Sequence, residues 1–93
     1  MDQIESATPS LSQNSPNPFN HQTVIGYYLP RSSSKAMINI YNMSGNLVKS
    51  INISKTGHEN ILIDGSELHP GMYLYSLIYD DAAVDIKWMV LTE

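Results

Sequence analysis

The sequence contains no cysteine, one tryptophan, one phenylalanine and few charged residues. The absence of cysteine excludes disulfides, thiolate catalysis and every cysteine-based zinc site. Five Lys and Arg against nine Asp and Glu give a net charge of −4 without a basic cluster, which disfavours nucleic-acid binding through phosphate neutralisation. No apolar run approaches the ~18 residues that span a bilayer, and residues 1–5 lack the basic and apolar regions of a signal peptide. With 93 residues, the chain is expected to form one domain.

Short segments in which apolar and polar residues alternate make up most of the sequence from residue 23 onward. A period of two is typical of strands with one buried face. The predicted strands cover residues 23–29, 36–41, 47–53, 61–63, 72–79 and 83–91. The sequence has no amphipathic-helix pattern of ten or more residues. The predicted fold is therefore all-β, an Ig-like antiparallel β-sandwich of about seven short strands.

The same alternation predicts the core and the turns. The inner face is expected to include Ile25, Tyr27, Ile38, Ile40, Tyr73, Tyr75 and Leu77. Gly45 is expected to take a positive φ, and Asp64 or Ser66 is expected to cap one helical turn. Gly71 should occupy a tight position where a larger side chain would clash or require an unfavourable φ, so valine there should destabilise more than alanine.

Two regions precede the alternating segments. Residues 1–10 are predicted to be a flexible linker or tail, and residues 11–93 the folded domain. Residues 11–20 contain two prolines among asparagines. Because proline lacks a backbone donor, this segment should be an extended arm or edge rather than a central strand.

No catalytic, metal or cofactor site is predicted. The histidines His21, His58 and His69 lie on three separate predicted loops without metal-ligand spacing. The acids Asp80, Asp81 and Asp85 are better explained by a turn near the last hairpin than by a calcium site. The serines and glycines form no nucleophile elbow or phosphate-binding loop. The chain is therefore not expected to be an enzyme.

The aromatic residues leave one alternative open. Six tyrosines and one tryptophan could form a flat surface that stacks on carbohydrate. The alternation of Tyr73 and Tyr75 with Leu77 favours buried rings instead. If Met89 and Leu91 face the core, Trp88 faces solvent.

Five motifs in order resemble the type A C-terminal sorting domains of the type IX secretion system. The first two are LSQNSPNPFN (residues 11–20) and TVIGYYLP (residues 23–30). They are followed by INIYNMSGNLV (residues 38–48), LHPGMYLYSL (residues 68–77) and KWMVL (residues 87–91). Family-motif positions expected to be structural are Pro16, Asn17, Pro18, Phe19, Asn20, Tyr41, Gly45, Gly71 and Tyr73. Trp88 stands where the family often has lysine, and the chain ends in Thr92-Glu93 where a basic residue is usual.

The resemblance implies a non-catalytic secretion signal. Such domains direct a fused upstream cargo through an outer-membrane translocon, by way of the periplasm of a Gram-negative bacterium. A sortase-like peptidase commonly removes them, and the cargo is secreted or held at the outer-membrane surface. The implied partners are translocon components, that peptidase and the cargo, with no nucleic acid and no membrane insertion. The candidate signal residues are Lys87, Trp88, Met89, Val90 and Leu91.

Two other functions stay open on the sequence alone. One is an Ig-like accessory domain that stabilises a neighbouring catalytic domain, and the other is a carbohydrate-binding module. For the sorting function, residues 84–91 would offer backbone groups for strand addition if they form a sheet edge.

Overall fold

Seven strands form two antiparallel sheets in the computed structural model, which describes residues 8–30 and 35–93. The strands are β1 (Ser10–Leu11), β2 (Gln22–Leu29), β3 (Ala36–Tyr41), β4 (Leu47–Ile53), β5 (Gly57–Asp64), β6 (Gly71–Tyr79) and β7 (Ala82–Leu91). One sheet has the order β1-β2-β5 and the other β4-β3-β6-β7. The prediction of an all-β sandwich is confirmed. Among the described residues, no helix is long and apolar enough to cross a membrane.

The core lies between the two sheets and consists of the inward residues of each strand. All seven residues predicted for the inner face are buried. Ile40 and Tyr75, directly opposite each other on β3 and β6, are both 0% exposed. Burial alternates along β2 and β3, which is the reason that the period of two identified them.

One strand is longer than its sequence pattern indicates. β5 begins at Gly57, and its pairing with β2 runs from Leu29 opposite Gly57 to Gln22 opposite Asp64. Apolar alternation identified only the end of this strand, because residues 58–60 are His, Glu and Asn. The partner strand supplies the hydrogen bonds for these polar residues, so their pairing does not depend on local apolar pattern.

The turns use backbone conformations that glycine and aspartate tolerate. Gly45 has φ +86°, as predicted. The Asp64 side chain accepts a hydrogen bond from the Ser66 N–H and caps a 3₁₀ turn, Gly65–Glu67. Asp80 and Asp81 have φ of 53° and 68°, the left-handed pair that a two-residue hairpin between β6 and β7 requires.

Gly71 has φ +153°, which L-residues rarely adopt. A Cβ built on Gly71 meets no atom within 4 Å. The expected clash is therefore wrong, and the expected unfavourable φ is the constraint. Alanine and valine share that constraint. The two substitutions should therefore lower the free energy of unfolding by more similar amounts than the sequence predicted.

The arm before β2 lies at a sheet edge rather than in a central strand, as expected, and it bonds to both sheets. Its residues 16–18 form a bend instead of continuing as extended chain. Pro9 is buried and Ser10 pairs with Tyr28 of β2, so pairing begins one residue before the predicted domain start. The rest of the predicted linker, residues 1–7, lies outside the described residues. The arm pairs again with β2 where Ser15 and Val24 exchange backbone hydrogen bonds at 3.0 Å.

Candidate functional site

The candidate signal residues 87–91 lie in β7, the edge strand of the four-stranded sheet. Trp88 is 48% exposed, whereas Met89 and Leu91 are 0% and 4% exposed and pack in the core. Lys87 and Val90 are half-buried. The outward orientation of Trp88 follows from alternation with two buried neighbours, as predicted. Trp88 is therefore the most accessible of these five side chains.

The arm covers the free edge of β7 near its end. The Val90 N–H donates to Asn17 Oδ1 at 2.9 Å, and the Val90 carbonyl accepts from the Phe19 N–H at 3.0 Å. The Thr92 N–H donates to the Phe19 carbonyl at 2.8 Å. Three backbone groups that point away from β6 are thus bonded to the arm. A partner strand could pair with them only by displacing it.

Nearer the start of β7, side chains make the hydrogen bonds at this edge. The Gln13 side-chain amide donates to the Trp88 carbonyl. The Asp85 carboxylate accepts from the Leu11 N–H at 2.8 Å through one oxygen and from the Ile86 N–H at 2.9 Å through the other. β7 lies at an edge, as expected, but most of that edge between residues 86 and 92 is already bonded. The structure therefore gives no open template for strand addition there.

A buried polar cluster fixes the arm against both sheets. Asn14 is 3% exposed, and its side chain donates to Thr23 Oγ1 at 3.0 Å. Its backbone N–H donates to the Tyr75 hydroxyl at 2.8 Å, and that hydroxyl donates to the Ser12 carbonyl at 2.8 Å. Thr23 Oγ1 in turn donates to the Pro16 carbonyl. Burial raises the pKa of Tyr75 to about 12.

Sequence reasoning missed Gln13 and Asn14 as arm anchors. Their partners Trp88 and Tyr75 are 75 and 61 residues away, so no local spacing connects them. The available signal was a polar pair inside a proline-rich segment. That composition is equally typical of an unanchored linker.

The family-motif positions include buried, half-buried and exposed residues. Phe19 is 3% exposed and lies close to Gly65 and Leu91, where a Cβ on Gly65 would meet both side chains within 3.1 Å. Tyr73 is buried and its hydroxyl donates to the His69 carbonyl. Tyr41 is half-buried. The exposed motif residues are Pro16, Asn17, Pro18, Asn20, Gly45 and Gly71.

Two of the histidines have local partners. His21 contacts the Asn20 side chain, and the His58 ring lies 4.7 Å from the Tyr28 ring. Within residues 8–30 and 35–93, no group of three or more histidines and acids could hold a metal ion. Tyr27, Tyr73 and Tyr75 are buried, so the aromatic residues do not form one flat surface.

One protein-family model matches most of the chain. The model of the secretion system C-terminal sorting domain matches residues 15–91. The match begins in the arm and ends at the last residue of β7, so it spans both sides of the contact described above. The chain belongs to this family. Neither the curated proteins nor the solved structures gave a match to the chain.

Membership identifies the chain as a type IX secretion C-terminal sorting domain. The family is a class of non-catalytic sorting signals, found on secreted or cell-surface proteins. It implies interaction with the type IX secretion machinery. In this sorting domain, the arm and the last strand are hydrogen-bonded to each other.

Proposed function

We propose that this sorting domain directs a cargo protein fused ahead of it through the outer-membrane translocon. After export from the periplasm, a sortase-like peptidase removes the domain. The observation that carries the proposal is the family match across residues 15–91. The fold is compatible with this role, because a signal shared by different cargos must fold independently of each cargo.

The proposal assigns recognition to β7, with residues 87–91 as the signal. Met89 and Leu91 contribute by holding the strand in place, since both are buried. Trp88 contributes a contact surface, since about half of it is exposed. Deletion of residues 87–93 cannot separate these roles, because it removes core side chains together with the exposed one.

Peptidase cleavage is assigned to the chain ahead of Pro9. Pro9 is buried and Ser10 is paired with Tyr28, so from there the backbone is protected. A peptidase requires an extended and unprotected substrate backbone. Mass spectrometry of the exported cargo should therefore find its new C-terminus ahead of Pro9. A C-terminus inside the arm, between residues 10 and 20, would contradict this assignment.

The export test uses a passenger protein with its own Sec signal peptide, fused ahead of residue 1. In a host with type IX machinery, the wild-type fusion should reach the surface or the medium and lose this domain. An authentic sorting domain on the same passenger serves as the positive control. Retention of the wild-type fusion in the periplasm, while the control is exported, would refute the proposal.

Two other functions predict different outcomes, one in the export test and one in a glycan-binding assay. A domain that only stabilises a neighbouring catalytic domain would leave export intact when it is deleted, and the neighbour would lose stability. A carbohydrate-binding module would be retarded in affinity electrophoresis on insoluble glycans. The sorting function predicts the opposite result in both assays.

A further inference from the structure

The outer face of the four-stranded sheet carries no charge. Its four strands, all of which the structure describes, contain three charged residues: Lys49, Asp85 and Lys87. Each lies opposite a fully buried residue of the neighbouring strand, so all three are on the core-facing side. The net charge of −4 is therefore carried by other parts of the chain. A sheet face without charge is unusual for a surface exposed only to water.

One row across this face is apolar in all four strands. Leu47 is opposite Tyr41, Tyr41 is opposite Leu74, and Leu74 is opposite Trp88. Leu47 and Trp88, at the two ends, are 53% and 48% exposed. A groove, which we call the outer-face groove, lies along the part of this row formed by Tyr41, Leu74 and Trp88. It is lined by Tyr41, Asn42, Met43, Gly45, Leu74 and Trp88.

Two acceptor oxygens along the outer-face groove already receive hydrogen bonds from within the chain. Asn42 Oδ1 accepts from the backbone N–H groups of Ser44 and Asn46, both at 3.0 Å. The Tyr41 hydroxyl accepts from the Asn39 side chain at 3.3 Å. A sugar needs free hydrogen-bonding groups beside an aromatic ring, and an apolar side chain needs none. With these two acceptors used and no charged residue in its lining, the groove suits an apolar occupant better than a glycan.

We propose that the type IX machinery contacts this domain at the outer-face groove, and that it presents an uncharged, apolar segment there. The inference rests on the proposed function. Family membership supplies the partner, and the charge pattern supplies its chemistry, because a charged side chain placed here would lose water without gaining an ion pair. An exposed apolar patch of this kind marks a site of interaction.

Two features of β7 favour this face, rather than the backbone edge of the strand, as the contact site. The edge is bonded to the arm through Val90 and Thr92, so strand addition would require the arm to leave. The arm in turn is anchored by buried Asn14 and Phe19. The exposed Trp88 side chain lies both in the candidate signal and in the groove, so recognition of the signal needs no rearrangement of the arm.

Serine substitutions in the export fusion test the groove. Trp88→Ser and Leu47→Ser each remove an exposed apolar side chain and leave the Gln13 bond to the Trp88 carbonyl in place. Leu62→Ser is the matched control, because Leu62 is 59% exposed on the three-stranded sheet. Exposed changes of this kind usually have small effects on folding, which thermal melting checks.

We expect Trp88→Ser to lower the exported passenger about tenfold or more, as removal of an aromatic hot-spot residue does at interfaces. Leu47→Ser should lower it less, and Leu62→Ser should leave it at the wild-type level. Wild-type export by both Trp88→Ser and Leu47→Ser would overturn the assignment of the contact to this face while leaving the sorting function intact. Failure of the wild-type fusion itself would count against the sorting function instead.

Photo-crosslinking identifies the occupant directly. A benzoylphenylalanine placed at position 88, in a fusion that is still exported, should crosslink to an outer-membrane component of the type IX machinery. The same probe at position 62 should not. A crosslink at position 88 to a second copy of the chain, to lipid or to a glycan would overturn the proposal. So would equal crosslinking of the machinery at both positions.

Discussion

Removal of the Tyr75 hydroxyl tests how firmly the arm is held. In Tyr75→Phe the ring still fills the core, but the Asn14 N–H loses its acceptor and the Ser12 carbonyl loses its donor. Asn14 is 3% exposed, so solvent cannot readily replace the lost acceptor. A buried group left without its partner costs roughly 1–3 kcal/mol. For a domain of this size that corresponds to a decrease in melting temperature of at least about 4 °C.

The pKa of the same hydroxyl gives the prediction a second measurement. Burial raises the pKa of Tyr75 from 10.0 to about 12, so the folded state holds this proton more tightly than the unfolded chain does. Its contribution to stability is complete below the unfolded pKa and is lost as the pH rises through the folded one. The wild type should therefore lose roughly 1–3 kcal/mol of unfolding free energy between pH 10 and 12. Tyr75→Phe should lose less unfolding free energy over that range. Its remaining loss includes the contribution of Tyr27, whose pKa is also raised by burial.

Urea unfolding at neutral pH and along an alkaline series measures both effects. Tyr79→Phe is the control, because Tyr79 is half-buried at the end of β6 and packs beside the core. Backbone amide exchange at Asn14 should accelerate in Tyr75→Phe and not in Tyr79→Phe. A cost below about 0.5 kcal/mol, together with an unchanged alkaline slope, would refute the view that this hydroxyl anchors the arm.

Substitutions at three further places in the fold test the core and the turns. Ile40→Ala, at a position that is 0% exposed, should cost about 2–4 kcal/mol in urea unfolding, and a loss below about 1 kcal/mol would contradict the packing. Gly71→Ala and Gly71→Val should each cost about 1–3 kcal/mol because both must adopt φ +153°, whereas a negligible cost of alanine would contradict that backbone conformation. Replacing Asp80-Asp81 with Asn-Gly should raise the melting temperature, since that pair is preferred at two positive φ values; a lower temperature would contradict the turn geometry.

The parts of the fold that were predictable from the sequence depend on local alternation. Ile38 and Ile40 alternate with polar or larger residues, and the core position of both follows from a period of two. Trp88 was placed outward by the same reasoning, from its neighbours Met89 and Leu91. The 3₁₀ turn after Asp64 was predictable because an aspartate cap acts over two residues.

The hydrogen bonds by which the arm covers the edge of β7 were not predictable in this way. They form between residues about 73 positions apart, such as Asn17 with Val90, and several of them join a side chain to a backbone group. Such bonds impose no pattern on either segment. The apolar row of the outer face could not be predicted from local pattern either. Leu47, Leu74 and Trp88 become neighbours only through the strand order β4-β3-β6-β7.

The protection of both flanks of the sandwich explains why a side-chain surface is the better candidate for recognition. On one flank the arm covers β7. On the other, β4 and β5 are edge strands, and each carries a charge on its core-facing side: Lys49 opposite buried Ile40, and Glu59 opposite buried Tyr27. Inward charges of this kind oppose edge-to-edge pairing, because a strand added there would bury them. On the proposed route through the periplasm, such protection would limit pairing with other exposed strands. Because the edges are protected, exposed side chains are the better candidates for specific contact. The largest exposed side chain in the candidate signal is Trp88.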